Sequence, residues 1–123
     1  MTEIQNSKRY DLEERTYEFA RDCKEFIKKL PKTTVNIEYG KQLARSSGSQ
    51  AANYIEANEA LSKKDFIHRI KICRKETKES CLWLRLCDID DKNALEEERK
   101  KIIQEATELR RIFTAIIAKS SQV

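Results

Sequence analysis

The sequence predicts an all-α fold, an antiparallel up-down-up-down four-helix bundle in a single domain. The chain of 123 residues has only two glycines and one proline, whereas β-sandwiches and barrels need frequent turn residues. Apolar residues recur at steps of three and four, as on the buried side of an amphipathic helix. Because the linkers are short, neighbouring helices should be antiparallel. We expect the bundle over residues 11–119, a flexible segment over residues 1–10 and a C-terminal tail over residues 120–123.

The first helix is predicted from about Asp11 to Leu30. Asp11 is a good N-cap residue. Pro31 disfavours helical geometry at the residue before it, so the helix should stop there. The apolar stripe of this helix comprises Leu12, Phe19, Cys23, Phe26, Ile27 and Leu30.

The second helix, predicted from Asn36 to Ala60, contains the unusual stretch "ARSSGSQAA" at residues 44–52. Serine and glycine are poor helix formers, so a Ser/Gly loop is the alternative. We favour a helix because stronger turn formers such as proline are missing. Small side chains let a neighbouring backbone approach closely, and here they point in nearly every direction. This pattern predicts that a partner chain covers the helix as well.

Ser62 and Asp65 open a third helix, in a pattern close to a capping box, and this helix should continue to about Cys87. A second apolar flank, beside the core stripe, is broader than one bundle needs and predicts an additional contact. That flank comprises Ile72, Trp83 and Leu86. After the break at "DIDDKN", a fourth helix is predicted from Asn93 to Lys119.

The sequence predicts a cytoplasmic protein with no membrane partner. No apolar run approaches the roughly 20 residues that span a bilayer. The N-terminal "MTEIQNSKRYDLEER" lacks the apolar stretch of a secretory signal. The cysteines are then expected to be reduced and to serve as small hydrophobic residues. They are Cys23, Cys73, Cys81 and Cys87.

The third helix carries the most informative charge pattern. Residues 62–85 hold eight basic side chains against three acidic ones, an excess larger than the net charge of +4 for the whole chain. Basic residues at steps of three and four form one continuous face, the electrostatic footprint expected for phosphate backbones. The alternative is a solvated face that Glu76 and Glu79 partly neutralise. The nucleic-acid-binding candidates are Lys64, Lys71, Arg74, Lys75 and Lys78.

No residues suggest catalysis, a metal site or a cofactor. His68 is the only histidine, so a di-iron site built from two Glu-x-x-His units cannot be completed in one subunit. Cys73 lies five residues from His68 and points to a different helical face, which argues against a Cys–His nucleophile. A metal-binding bundle enzyme is the least favoured hypothesis. No aromatic residue is interleaved with the lysines, so nucleic-acid binding should be directed at the backbone and sensitive to salt.

Three stretches carry a family resemblance: "DLEERTYEFA" at 11–20, "QLARSSGSQAANYIEANEA" at 42–60 and "SKKDFIHRIKICRKETKESCLWLRL" at 62–86. They resemble the four-helix-bundle proteins related to those encoded in intervening sequences of bacterial large-subunit ribosomal RNA genes. The similarity covers about residues 11–117. The accessory variability protein of diversity-generating retroelements is another relative in this resemblance.

The resemblance implies an antiparallel four-helix bundle that assembles as a barrel-like homopentamer. It also implies nucleic-acid binding, because the accessory variability protein is a basic pentamer that binds nucleic acid and a partner reverse transcriptase. Several residues of the shared stretches are predicted to be structural, through inter-helix hydrogen bonds, caps, packing or subunit contacts. They are Arg45, Asn53, Glu56, Asp65 and Trp83.

The leading hypothesis is therefore a non-enzymatic, oligomeric helical bundle that binds RNA or DNA backbones through its third helix. The alternative is a scaffold for a protein partner, for example a reverse transcriptase, without a direct role for nucleic acid.

Overall fold

The computed structural model describes residues 2–91 and 93–121, with side chains from residue 12 onward in those ranges. These ranges contain four helices and no strand, which confirms the predicted all-α class. The helices are α1 (Thr2–Lys29), α2 (Thr34–Asn58), α3 (Lys63–Leu86) and α4 (Asn93–Ser120). Because α2 runs without a break through Gly40 and Gly48, the alternative of a Ser/Gly loop is wrong.

The predicted start of the first helix at Asp11 is wrong, because α1 begins at Thr2. Neither glycine nor proline occurs before Pro31, so the sequence has no strong helix breaker upstream of Asp11. The side chains of residues 1–11 lie outside the described ones, and the flexible segment over residues 1–10 stays a prediction. The tail over residues 120–123 also stays a prediction, since residues 122 and 123 lie outside the described ranges.

Side-chain caps fix where α2 and α3 begin. The Thr33 hydroxyl accepts a hydrogen bond from the backbone N–H of Asn36 at 3.2 Å. The Ser62 hydroxyl accepts one from the backbone N–H of Asp65 at 3.1 Å. Each bond satisfies an N–H group that the first turn of the helix leaves without a partner. The predicted opening of the third helix at Ser62 is confirmed.

The four helices pack in a ring, each against the next along the chain, with α4 packing back against α1. Between α1 and α2 the approach is close, because a Cβ atom built at Gly40 would lie 3.2 Å from Cγ2 of Ile27. None of the described helices is long and apolar enough to cross a membrane. The largest apolar side chains at the centre of the core are Phe19, Phe26, Leu43, Ile70, Leu84, Leu109 and Phe113.

The buried face of α2 is largely polar. The hydroxyls of Ser46 and Ser80 lie 2.7 Å apart across the α2–α3 contact. Nε2 of Gln50 donates to the backbone carbonyl of Thr16 on α1 at 2.6 Å. These bonds offset the cost of burying polar groups, which would otherwise be a few kcal/mol for each group. The helix therefore joins its neighbours through hydrogen bonds as well as apolar packing.

A face of α2 next to the buried one is exposed and lined by small or aliphatic residues. Ile37 is 50% exposed and Ile55 is 51% exposed. Gly48 lies between them, and no atom would lie within 4 Å of a Cβ built there. Ala44 is exposed on the same face. We call this surface, comprising Ile37, Ala44, Gly48 and Ile55, the small-residue face.

Candidate nucleic-acid interface

The basic residues predicted on the third helix lie along the junction between α3 and α4. Lys71, Lys75 and Lys78 are exposed, and Arg74 is half-buried. These four side chains line a single open hollow of about 450 Å³. The remaining candidate, Lys64, is exposed and lines an adjoining hollow of about 650 Å³, which shares Lys71 with the first. The structure thus brings all five candidates onto one continuous surface.

The fourth helix forms the other wall of this surface. A third hollow, of about 440 Å³, is lined by Arg74 together with Arg110, Arg111 and Thr114 of α4. Arg110 and Thr114 also line the hollow that holds the α3 lysines. Nη1 of Arg74 donates a hydrogen bond to the hydroxyl of Thr114 at 3.3 Å, which joins the two walls. We call the three connected hollows the α3–α4 groove.

Arg110 and Arg111 were missed by the sequence analysis, which looked for nucleic-acid-binding residues on the third helix alone. A signal for them was present, because no aspartate or glutamate follows Glu108 in the chain. The positions of these arginines opposite Arg74 depend on how α3 and α4 align. That alignment is a property of the tertiary packing, and hydrophobic periodicity within one helix does not supply it.

The acidic residues of α3 face the other way, toward α2. Nη1 of Arg45 lies 3.1 Å from a carboxylate oxygen of Glu76, and Nη2 lies 3.0 Å from one of Glu79. Burial alone would raise the pKa of Glu76, but hydrogen bonds from Ser49 and Arg45 hold it below its ordinary value. The Arg45 guanidinium is held charged in turn, because its hydrogen bond to Glu76 raises its pKa. Glu76 is nearly buried, with 6% of its surface exposed.

The acidic residues in the middle of α4 face α1. Arg15 donates two hydrogen bonds to Glu105, from Nε at 2.9 Å and from Nη2 at 2.7 Å. The same guanidinium lies 3.7 Å from a carboxylate oxygen of Glu108. This two-bond geometry is the strong form of an arginine–carboxylate pair. Glu105 and Glu108 are therefore directed to the α1–α4 contact and line none of the three hollows.

The contacts made by Arg45 and Arg15 separate the acidic from the basic side chains of α3 and α4. Carboxylates lie at the α2–α3 and α1–α4 contacts, and cations lie at the α3–α4 groove. No described carboxylate forms an ion pair with Lys64, Lys71, Lys75 or Lys78 of α3, or with Arg110 and Arg111 of α4. Neutralisation of the basic stripe by Glu76 and Glu79, as the solvated-face alternative assumed, does not fit their pairing with Arg45.

Comparison with known proteins gives the family of the chain. A family model described as 23S rRNA-intervening sequence protein matches residues 8–115. The chain belongs to this family. A crystal structure from Bacteroides thetaiotaomicron VPI-5482, described as a protein with unknown function from the S23 ribosomal protein family, has a TM-score of 0.75 at 29% identity. The similarity covers 86% of this chain and 97% of that one. A comparison with curated proteins finds no match.

The predicted structural residues of this intervening-sequence protein lie outside the groove. Arg69 donates to the side-chain oxygen of Asn53 at 3.0 Å, which joins α3 to α2. The carboxylate of Asp65 lies 4.0 Å from the same guanidinium. Trp83 is half-buried and stacks on Tyr39 of α2, with ring centroids 5.8 Å apart. Glu56 is exposed on α2.

Metal and nucleophile chemistry receive no support from the described residues of this family member. They contain no group of three or more histidine, cysteine, aspartate or glutamate residues placed to hold a metal ion. His68 is exposed beside the groove. The thiols of Cys23 and Cys73 are buried and free, and burial raises the pKa of Cys73 to about 12. Such a thiol is protonated at neutral pH and is a poor nucleophile.

Proposed function

We propose that this intervening-sequence protein is a non-enzymatic cytoplasmic protein that binds RNA or DNA backbones through the basic face of α3. The observation that carries the proposal is the sorting of charges described above. Glu76 and Glu79 of α3 are paired at the α2 contact, so Lys71, Lys75 and Lys78 of the groove have no carboxylate partner among the described residues. Lysines at three- and four-residue spacing repel one another and reduce helix stability. A polyanion would relieve this repulsion, which is how phosphate backbones are bound without sequence readout.

The family adds independent support. The family model is described as a 23S rRNA-intervening sequence protein, and the similar bacterial structure is described as a member of the S23 ribosomal protein family. The four cysteines are free, as suits a reducing compartment such as the cytoplasm. Burial raises the pKa values of the Cys73 and Cys87 thiols, which argues against a cysteine nucleophile.

The proposal is tested by reversing two groove charges. Lys71→Glu/Lys75→Glu should reduce RNA binding at least tenfold at low salt, because two cations of the stripe become anions. The matched control is Lys24→Glu/Lys28→Glu, which changes the net charge equally at the same four-residue spacing on α1. Fluorescence anisotropy with a labelled RNA measures both, and circular dichroism confirms that both variants fold. Equal binding by wild type and Lys71→Glu/Lys75→Glu would refute the assignment.

We further propose that the protein is a homo-oligomer, expected to be a pentamer of antiparallel up-down-up-down bundles. Contacts between α1 and α4 support the antiparallel order, because Arg15 pairs with Glu105 whereas the later Lys29 pairs with the earlier Glu98. The small-residue face of α2 supports the subunit contact. An exposed mid-helix glycine such as Gly48 costs about 1 kcal/mol relative to alanine without any benefit inside one chain.

Oligomerisation is tested by filling the small-residue face. Gly48→Leu leaves the single chain intact, because no atom lies within 4 Å of the new Cβ. It should lower the mass measured by light scattering if a second subunit packs against α2. Gly48→Ala is the control, since it improves helix propensity by about 1 kcal/mol while adding one methyl group. A monomeric wild type, or an unchanged mass in Gly48→Leu, would contradict this contact.

The alternative function is a protein-interaction scaffold. Leu82 and Leu86 of α3 are 46% and 42% exposed and flank the half-buried Trp83. Large apolar side chains grouped on a surface often mark a protein contact. Co-purification of one stoichiometric protein, resistant to nuclease and lost in Leu82→Ser/Leu86→Ser, would favour the scaffold over nucleic-acid binding.

A further inference from the structure

We infer that the ligand of the α3–α4 groove is a nucleic-acid duplex, one strand of which is held between the α3 lysines and a second cationic wall formed by Arg110 and Arg111. This inference rests on the proposed function and extends it in two ways. It adds the α4 arginines to the binding surface, and it names duplex nucleic acid as the ligand class. Duplex RNA and duplex DNA share the required backbone chemistry.

Cations on both walls argue for a backbone held inside the groove. Arg74 is tied to Thr114 across the junction, so its guanidinium is positioned before any ligand binds. Arg111 is exposed, and Arg110 is half-buried with its Nε atom buried and without a hydrogen-bond partner among the described residues. Burial raises the pKa of the Cys81 thiol, and the nearby positive charge of Arg110 offsets part of this rise. A phosphate in the groove would meet positive charge on two sides.

The number of cations in the groove is close to the number of phosphates that one strand of a duplex would place along its length. The α3 wall from Lys64 to Lys78 spans about 21 Å at 1.5 Å per residue. One strand of a duplex carries a phosphate about every 3.4 Å of axis, which gives about six phosphates over this length. Eight cationic side chains line the groove, a comparable number: Lys63, Lys64, Lys71, Arg74, Lys75, Lys78, Arg110 and Arg111.

The groove lacks what single strands require. Proteins that bind single strands stack bases on aromatic side chains. No Phe, Tyr or Trp lines the three hollows as far as the structure describes them, and the nearest candidate for stacking is His68 at one end. The hollows are lined instead by hydroxyl-bearing residues, among them Thr107, Thr114 and Ser120. Hydroxyls bond well to phosphate and sugar oxygens. Two rigid helices also suit a duplex, which stays straight over this distance.

The experiment compares three labelled probes of about 20 nucleotides: an RNA duplex, a DNA duplex and a single strand without self-complementarity. Dissociation constants are measured by anisotropy across a salt series. With about six phosphates neutralised, the logarithm of the binding constant should fall with a slope near −5 against the logarithm of salt concentration. A duplex should bind at least tenfold more tightly than the single strand. The two duplex arms show whether RNA or DNA is preferred.

Arg111→Gln tests the second wall. Because Arg111 is exposed, the variant should fold normally, and the salt slope should become shallower by about one. Lys101→Gln is the control, since it removes one exposed charge of α4 outside the groove and should leave the slope unchanged. An unchanged slope in Arg111→Gln would overturn the second wall, and equal or tighter binding of the single strand would overturn the duplex. Either result would leave the proposed function standing if Lys71→Glu/Lys75→Glu still abolishes binding.

Discussion

The two sides of α3 handle charge in opposite ways. Toward α2, a single guanidinium from Arg45 compensates Glu76 and Glu79 at hydrogen-bond distances. Toward α4, the lysines and Arg74 share the groove with more arginines and with no described carboxylate. A protein of modest net charge can therefore carry a strong concentration of positive charge at one surface. Glu76 and Glu79 pair at the α2–α3 contact, and Glu105 and Glu108 pair at the α1–α4 contact, so these four carboxylates do not line the groove.

The two sides also differ in what they contribute. The α2–α3 contact stabilises the fold, because burying the Glu76 carboxylate without the Arg45 guanidinium would reduce the free energy of unfolding. The α3–α4 groove reduces stability through repulsion between like charges, which is typical of a surface kept for binding. Substitutions on each side of α3 separate these two contributions.

Arg45→Ala should give the largest loss of stability. It leaves the carboxylate of Glu76 without its guanidinium partner, which should lower the free energy of unfolding by about 1–3 kcal/mol. Arg15→Ala at the α1–α4 contact is the comparison, and because Glu105 and Glu108 are more exposed the loss should be at most about 1 kcal/mol. Urea denaturation measures both. A larger loss in Arg15→Ala than in Arg45→Ala would reverse the ranking of the two contacts.

Glu76 should make stability depend on pH at the acidic end. Its pKa is lower in the folded protein than its ordinary value of 4.5. Its charge therefore stabilises the folded state above about pH 4.5, and this contribution is lost as the pH falls through the lowered pKa. Glu76→Gln should be less stable than wild type at pH 6 by about 1.5 kcal/mol, the size of one hydrogen bond to a charged group. The difference should shrink toward pH 3. A difference that stays constant over this range would show that the Glu76 charge does not contribute.

Much of the fold could be predicted from the sequence because α1, α3 and α4 carry apolar residues at helical spacing. The residues Phe19, Cys23 and Phe26 of the predicted α1 stripe are all fully buried. The buried face of α2 could not be read in the same way, since Ser46 and Gln50 are buried through hydrogen bonds to other helices. Hydrophobic periodicity gives no signal for a polar residue whose partner lies on another helix.

The candidate site was predictable only in part, for a related reason. Lysines on one face of α3 follow from spacing along one helix. The pairing of Arg45 with Glu76 and the alignment of Arg111 with the α3 lysines depend on contacts between helices. The sequence analysis therefore found one wall of the groove and missed the other. In the solvated-face alternative, Glu76 and Glu79 partly neutralise the basic face, whereas in the structure they pair with Arg45.

Lys75→Gln should give the smallest change in the free energy of unfolding, and this change should be stabilising. Lys75 lies four residues from Lys71 and three from Lys78, so removing its charge relieves repulsion along α3. The free energy of unfolding should rise by about 0.2–0.5 kcal/mol at low salt. The gain should vanish at high salt, because salt screens the repulsion between the lysines that destabilises the wild type. Lys28→Gln on α1 is the control of opposite sign, because Lys28 lies 3.7 Å from Glu25 and loses a favourable pair. If Lys75→Gln were destabilising as well, a compensating carboxylate would have to reach the groove, and the contrast between the two sides of α3 would fail.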